Sequence, residues 1–301
     1  MHSQPIDFHP PADEAAAFLL PVTTTLFADR AERFEALAAE HSLGDWLRFL
    51  AALSRAQQQA LKALPALPLP SASSIAQARA HRMPPLDPMI RPAAWRDALH
   101  QIASALRLEA PEATRAELDA LLVADDVSLE QLADKLLNGE PLATDIARLP
   151  FVAAALQVVF TQLASQLDAS HLQALDAHNI CPCCGSPAVA SIVRLGATIN
   201  NLRYLHCSLC NTEWNVPRAT CTACATDKEV ALHEVEGTQG AIRAETCDSC
   251  KSYLKIAYQD KDPRVDPVAD DLATLALDML VDEAGYQRSG PNLLLIGAYS
   301  G

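Results

Sequence analysis

The chain has 301 residues, half of them apolar and a fifth charged, enough to bury a core and too apolar for an intrinsically disordered polymer. Acids outnumber bases to give a formal charge of −14, which argues against a protein whose main work is neutralising phosphates. All nine cysteines lie between Cys181 and Cys250, behind a long cysteine-free stretch, a distribution foreign to disulfide-stapled secreted scaffolds.

Met1 to Pro10 carries no Lys or Arg, and the apolar run from Ala15 to Val22 is short and contains Pro21, so no export signal is expected. The run Phe151 to Phe160 is interrupted by Gln157 and falls far short of the ~20 residues that span a bilayer. We therefore expect no membrane insertion and a cytoplasmic location, where thiols stay reduced and paired cysteines hold metal more often than they form disulfides.

Residues 1–178 read as a helical domain. Apolar residues recur at helical spacing, as in Leu43, Leu47, Leu50 and Leu53 or Leu118, Leu121 and Leu122. Pro92 and Pro111 each stand where proline opens a helix. The pattern from Phe151 to Leu175 predicts a central helix. Within 65–92, Pro65, Pro68, Pro70, Pro84, Pro85, Pro88 and Pro92 rule out one continuous helix and predict an extended linker.

From Asn179 to Asp262 the texture changes to brief strands, such as Val189–Val193 and Glu229–Leu232, punctuated by cysteine pairs. Residues 263–301 return to helical periodicity, with a stop near Gly285, and make a C-terminal helix and tail. The fold class is α+β: a mainly helical N-terminal domain, then two tandem rubredoxin-like or zinc-ribbon modules, then the C-terminal helix.

The ribbon assignment rests on four C-x-x-C pairs, Cys181/Cys184, Cys207/Cys210, Cys221/Cys224 and Cys247/Cys250, separated by 22, 10 and 22 residues. Adding 40 to each of the first four positions gives the second four, and the same shift carries Arg203 onto Arg243 and Trp214 onto Leu254. A two-residue spacer curls the backbone so that both sulfurs point at one centre, and two such knuckles complete a tetrahedral four-thiolate site. The repeat therefore assigns one metal ion to Cys181, Cys184, Cys207 and Cys210 and a second to Cys221, Cys224, Cys247 and Cys250, each contributing on the order of 10 kcal/mol to folding. An interleaved pairing, first pair with third and second with fourth, stays open at this point. Four thiolates suit zinc or a single iron, and the ligands alone leave that choice open. His178 and His206 are expected at the surface or behind the ligands, and Cys183 is a spare thiol whose side chain should point away from the ion. Gly185 follows the first knuckle, whereas Asn211, Ala225 and Lys251 stand at the equivalent places, so the second centre is expected to be the looser.

A closed four-cysteine site has no open coordination position and does not activate water. With no nucleophile elbow, Walker loop, zinc-protease helix or dinucleotide fingerprint elsewhere, no enzyme activity and no catalytic residues are expected. Between Cys181 and Cys250 five bases face seven acids, so nucleic acid is not an expected partner.

The run Tyr204-Leu205-His206-Cys207-Ser208-Leu209-Cys210-Asn211-Thr212-Glu213-Trp214, then Cys221-x-x-Cys224, resembles the formate dehydrogenase accessory protein (FdhE) family. So does Cys247-x-x-Cys250 followed by Tyr253-Leu254-Lys255 and the segment Asp262-Pro263-Arg264-Val265-Asp266-Pro267-Val268-Ala269-Asp270-Asp271-Leu272. The resemblance implies a cytoplasmic maturation factor that binds the catalytic subunit of a formate dehydrogenase, with two rubredoxin-like iron centres on the eight paired cysteines and a tendency to dimerise. The alternative is a small rubredoxin-like electron-transfer or thiol-redox protein. For a binding protein, the acidic helix around Asp266, Asp270 and Asp271 and the edge strands of the ribbons are the candidate docking surfaces.

Overall fold

The computed structural model describes residues 16–195, 201–235, 237 and 240–295. Most of the N-terminal stretch in which no export signal is expected, and the last residues of the C-terminal tail, lie outside them.

Seven helices build the N-terminal part: α1 (Leu26–Ala38), α2 (Gly44–Ala63), α3 (Ala72–Ala80), α4 (Ala94–Leu106), α5 (Glu112–Val123), α6 (Asp126–Leu137) and α7 (Leu149–Ser165). Helix α7 is apolar on every side and nearly all of it is buried, as such a sequence requires; Pro150 sits in its first turn, where no backbone N–H is missed. Helices α2 and α4 present Leu47, Leu50, Leu53, Trp95, Leu99 and Ile102 to the same core. None of the described helices is long and apolar enough to cross a membrane.

The proline-rich segment is not a free linker. It contains α3, whose first turn is capped by the Ser71 hydroxyl accepting from the Ser74 N–H. Leu67, Ile75 and Leu86 anchor the segment in the core. Proline spacing correctly forbids one long helix, but it says nothing about a short capped helix between prolines or about apolar anchors.

The rest of the chain forms β2 (Ala188–Arg194), β3 (Leu202–Cys207), β4 (Glu213–Asn215), β5 (Val230–His233), β6 (Ile242–Cys247), β7 (Ser252–Tyr258), the short helices α8 (Ala269–Ala273) and α9 (Leu275–Glu283), and β8 (Gln287–Arg288). With β1 (Phe18–Leu19) they make one sheet in the order β1-β4-β3-β2-β7-β6-β5, with β8 beside β7. The duplication is legible in the register: Leu205 faces Trp214 across β3 and β4, and Glu245 faces Leu254 across β6 and β7. The copies are fused by a parallel pairing of β2 with β7, Ser191 opposite Ile256. Two three-stranded ribbons thereby share one sheet.

Helical periodicity after Asp262 is realised as two pieces broken at Thr274. Lys255 on β7, wholly buried, donates to the carbonyls of Asp271 and Thr274 at 2.7 and 3.1 Å and pairs with Asp271 and Asp278. Arg288 pairs with the same two aspartates at 2.7 and 2.9 Å. Asp270 takes a bidentate contact from Arg33 at 2.5 and 2.8 Å, and Asp266 accepts from Arg30 at 3.0 Å. Asp270 and Asp271 are thus only 2% and 1% exposed. Asp266, Asp270 and Asp271 are therefore not a free acidic face: their charges are spent on Arg30 and Arg33, far along the chain, and on Lys255 and Arg288, which local sequence cannot show.

The last turn of the described chain lies against β2, and a Cβ on Gly290 would sit 1.8 Å from the carbonyl oxygen of Ala188. Replacing Gly290 by Ala should therefore push the C-terminal segment off β2 and cost about 3 kcal/mol, at the upper end for overpacking, read as a lower urea midpoint at unchanged slope.

Candidate metal centres

All four knuckles are tight turns, and those at Cys207 and Cys247 begin where β3 and β6 end. Cys181 donates its backbone N–H to the Ser186 carbonyl and accepts from Gly185 N–H, both at 2.8 Å; Cys221 makes the same pair of bonds with Thr226 and Ala225 at 2.8 and 2.9 Å. The residue after each second cysteine is left-handed, with φ of 77° at Gly185, 58° at Asn211, 60° at Ala225 and 54° at Lys251. Glycine adopts this at no cost and asparagine at little, whereas an ordinary side chain loses about 1 kcal/mol or more. The first centre has the two favourable residues and the second has the two unfavourable ones.

The four turns bring the thiols into two sets: Cys181, Cys184, Cys207 and Cys210, and Cys221, Cys224, Cys247 and Cys250, with the sulfurs of each set within 4.8 Å of one another. Cys181 lies 3.6 Å from Cys210 and Cys184 3.5 Å from Cys207; the second set repeats this with Cys221 to Cys250 and Cys224 to Cys247, each at 3.7 Å. Disulfide sulfurs would be ~2.0 Å apart, and four sulfurs on a tetrahedral ion with bonds of ~2.3 Å stand ~3.8 Å apart. Each set therefore fits, and could hold, one ion. The interleaved pairing does not occur. Backbone N–H groups face the sulfurs, Cys183 to Cys181 at 3.4 Å and Leu209 and Cys210 to Cys207 at 3.4 and 3.3 Å, and would stabilise thiolate charge there.

The surroundings differ. In the first set all four sulfurs belong to residues no more than 1% exposed; in the second, Cys224 and Cys250 are exposed. The helical part braces the first centre directly. Gln157 on α7 donates to the Ser208 carbonyl at 2.8 Å and accepts from Gln57, and Thr161 accepts from the Asn211 amide at 2.8 Å. Leu86 of the proline-rich segment donates its N–H to the Cys183 carbonyl at 3.0 Å. Cys183 itself is fully buried, stays outside the four-sulfur set and offers no exposed thiol.

Burial pushes the Cys181 and Cys207 thiols well up, so closing the first centre on an ion must expel protons. In the second, burial also raises Cys250, but the Ser252 hydroxyl and N–H outweigh it and bring that thiol down to about 7.

One group of residues had no signal in the spacing. His206, buried behind Cys207, has its two ring nitrogens 2.9 Å from Glu213 and 3.1 Å from the side-chain oxygen of Asn211. That oxygen also accepts from Arg30 at 2.9 Å, and Glu213 takes a two-pronged contact from Arg194. The chain Arg194–Glu213–His206–Asn211–Arg30–Asp266 runs from the Cys207/Cys210 knuckle along a cleft of about 960 Å³, walled on its apolar side by Phe18, Leu20, Leu26 and Val265. The partners come from α1, the sheet and the 262–267 loop, so only the tertiary fold assembles them.

A helical domain joined to two fused four-cysteine ribbons defines a metal-binding protein of ribbon type. Family models for FdhE match the chain in three consecutive parts: the N-terminal model over residues 15–177, the central domain over 180–218 and the C-terminal domain over 219–295. The chain belongs to the FdhE family. The protein FdhE homolog of Edwardsiella ictaluri is 42% identical over 283 residues, 93% of this chain and 91% of that one. Protein FdhE of Salmonella arizonae is 37% identical over 94% of this chain and 92% of its own length. The crystal structure of the FdhE protein from Pseudomonas aeruginosa superposes with a TM-score of 0.82 at 38% identity, covering 93% of this chain and 99% of that one.

Glu213 tests the buried chain. Burial raises its carboxyl, but the hydrogen bond from His206 and the charge of Arg194 hold it down at about 2, against 4.5 ordinarily. Its stabilising share is present above pH 4.5 and lost as pH falls toward 2. Glu213→Ala should cost about 2 kcal/mol at pH 7, since it removes the carboxylate partner of half-buried Arg194 and leaves a buried His206 ring nitrogen without its acceptor, and the gap to the parent chain should narrow in urea titrations between pH 4.5 and 2.

Proposed function

We propose that this chain is a cytoplasmic accessory factor that binds the catalytic subunit of a formate dehydrogenase and is needed to assemble active enzyme, without catalysing a reaction of its own. The observation that carries this reading is the FdhE match across three successive parts of the chain, joined to two converged four-thiol sets. We propose further that Cys181, Cys184, Cys207 and Cys210 ligate one ion and Cys221, Cys224, Cys247 and Cys250 another. Bound there, an ion would cross-link four thiolates and, if it is iron, offer a one-electron couple. The chain's residues do the rest: the left-handed turns aim the sulfurs, N–H groups hold their charge, and Gln157, Thr161 and Leu86 fix the first ribbon against the helices.

With Asp266, Asp270 and Asp271 paired within the chain, the sheet edge remains as the client surface. Strand β5 ends the sheet, and Ala231, Leu232 and His233 are exposed, Leu232 to 47%. An extended client segment could add there by backbone hydrogen bonds, as strands do at open edges.

The electron-transfer alternative is kept by the exposed second centre, where a partner can approach the sulfurs. Elemental analysis, a visible spectrum and voltammetry of anaerobically purified protein test it. Iron–thiolate absorption at two atoms per chain fits the family reading, a reversible one-electron couple beside it is what the alternative further requires, and colourless zinc protein weakens that alternative.

A strain lacking this chain should make the dehydrogenase polypeptide yet lose its activity; full activity there would overturn the accessory role. Leu232→Ser should leave the fold intact and weaken capture of the catalytic subunit severalfold in a pull-down, and undiminished capture would exclude the β5 edge.

A further inference from the structure

The two centres share one backbone plan, so their differences are informative. The first is closed: every sulfur is buried, and its knuckles are tied to α7 and to the proline-rich segment by Gln157, Thr161 and Leu86. The second is braced by its own ribbon and by β8, where Gln287 donates its N–H to the Lys251 carbonyl at 2.7 Å, and its side-chain contacts are exposed. Lys251 pairs with Asp248 at 2.5 Å, Tyr286 donates to the same carboxylate at 2.8 Å, and Ser249 donates to Glu229 at 2.9 Å. Diagonally across the set, Cys224 and Cys250 face solvent while Cys221 and Cys247 are buried. The turns are also unequal: Ala225 and Lys251 hold the left-handed conformation that Gly185 and Asn211 take more readily.

Resting on the reading that each set holds an ion, we propose that the second centre is a ligand-exchange site for small thiols and thiophilic divalent ions, and that the first is a permanent structural centre. An external thiol reaches the second centre from the Cys224/Cys250 side, which the first centre does not offer. The incoming sulfur forms a bond to the ion as the bond to Cys224 or Cys250 breaks. The incoming thiol's proton passes to the released cysteine thiolate, and no electrons change hands. Cys221 and Cys247, buried behind, keep the ion on the chain while the outer pair turns over. Strain in the two knuckles makes release easier because an opened turn can relax.

Evolution from one unit would start with like centres, and the two now differ in exposure, in turn residues and in bracing, all in the same direction. Even the shared arginine has diverged: Arg203 is buried against Glu245, whereas the equivalent Arg243 pairs with Glu234 near the surface.

The test uses the full chain loaded with zinc. Excess Cd2+ is added with 2-mercaptoethanol, zinc and cadmium per chain are followed by native mass spectrometry, and iodoacetamide pulses label freed cysteines. One zinc should be replaced at least about tenfold faster than the other, the factor expected if a single strained turn were relieved on opening, with label confined to Cys224 and Cys250. Replacement of both at one rate, or label on the first-centre cysteines, would overturn the proposal alone. A chain that retains no zinc at all would overturn the metal reading together with it. The variant Ala225→Gly leaves all eight sulfurs and the Lys251–Asp248 pair in place and relieves the Cys224 turn, so it should fold and label Cys224 about tenfold more slowly. An unchanged labelling rate in it would overturn the role of the turns.

Discussion

Four sulfurs turned toward one point are the constraint from which this molecule is built. The stretch between Cys181 and Cys250 offers short strands and, among its described residues, no helix, too little to bury against itself. A knuckle solves this by using the backbone: the left-handed residue after the second cysteine folds the chain back, and the N–H groups in the turn face the sulfur. Each ribbon hangs from two such turns, so the strand register is set by where the cysteines stand. That both copies show the same register, Leu205 to Trp214 and Glu245 to Leu254, follows directly.

Duplication then creates a second problem, because each ribbon has an open edge. Pairing β2 with β7 in parallel removes two edges at once, and β1 covers a third by lying along β4. Among the described strands, β5 is left at one end of the sheet and the two-residue β1 at the other. The economy of this arrangement explains how a segment of short strands becomes one continuous sheet, and why the first ribbon, in the middle of the molecule, is buried while the second, at its end, is wet.

The helical part and the C-terminal segment hold the sheet by polar contacts to an unusual degree. Gln57 and Gln157 link α2, α7 and the knuckle carbonyl of Ser208 in the middle of an apolar core. Lys255, Arg288, Asp271 and Asp278 form a buried cluster that would cost much to desolvate and little to replace by matched apolar residues. Such groups fix position, because a half-made set of buried charges is far worse than a complete one. The C-terminal segment is thereby held in one register against β7, and the first centre in one place against α7.

The eight cysteines, their grouping in fours, the α+β class and the duplicated ribbons were all readable from spacing, because C-x-x-C acts through local backbone geometry and a repeat reports itself. The FdhE resemblance was equally local, carried by short runs such as Tyr204–Trp214 and Asp262–Leu272. Distance in the chain hid the rest. Asp270 and Asp271 look like a solvated helix face until Arg33 and Lys255 are brought to them, and His206 looks incidental until Glu213 and Asn211 close on it. Ala225 and Lys251 read as ordinary turn residues, and the proline-rich segment as a spacer, until the fold shows which knuckle is strained and which is clasped. Burial and ion pairing are properties of what surrounds a residue, and for these residues the surroundings come from elements as much as 237 positions away.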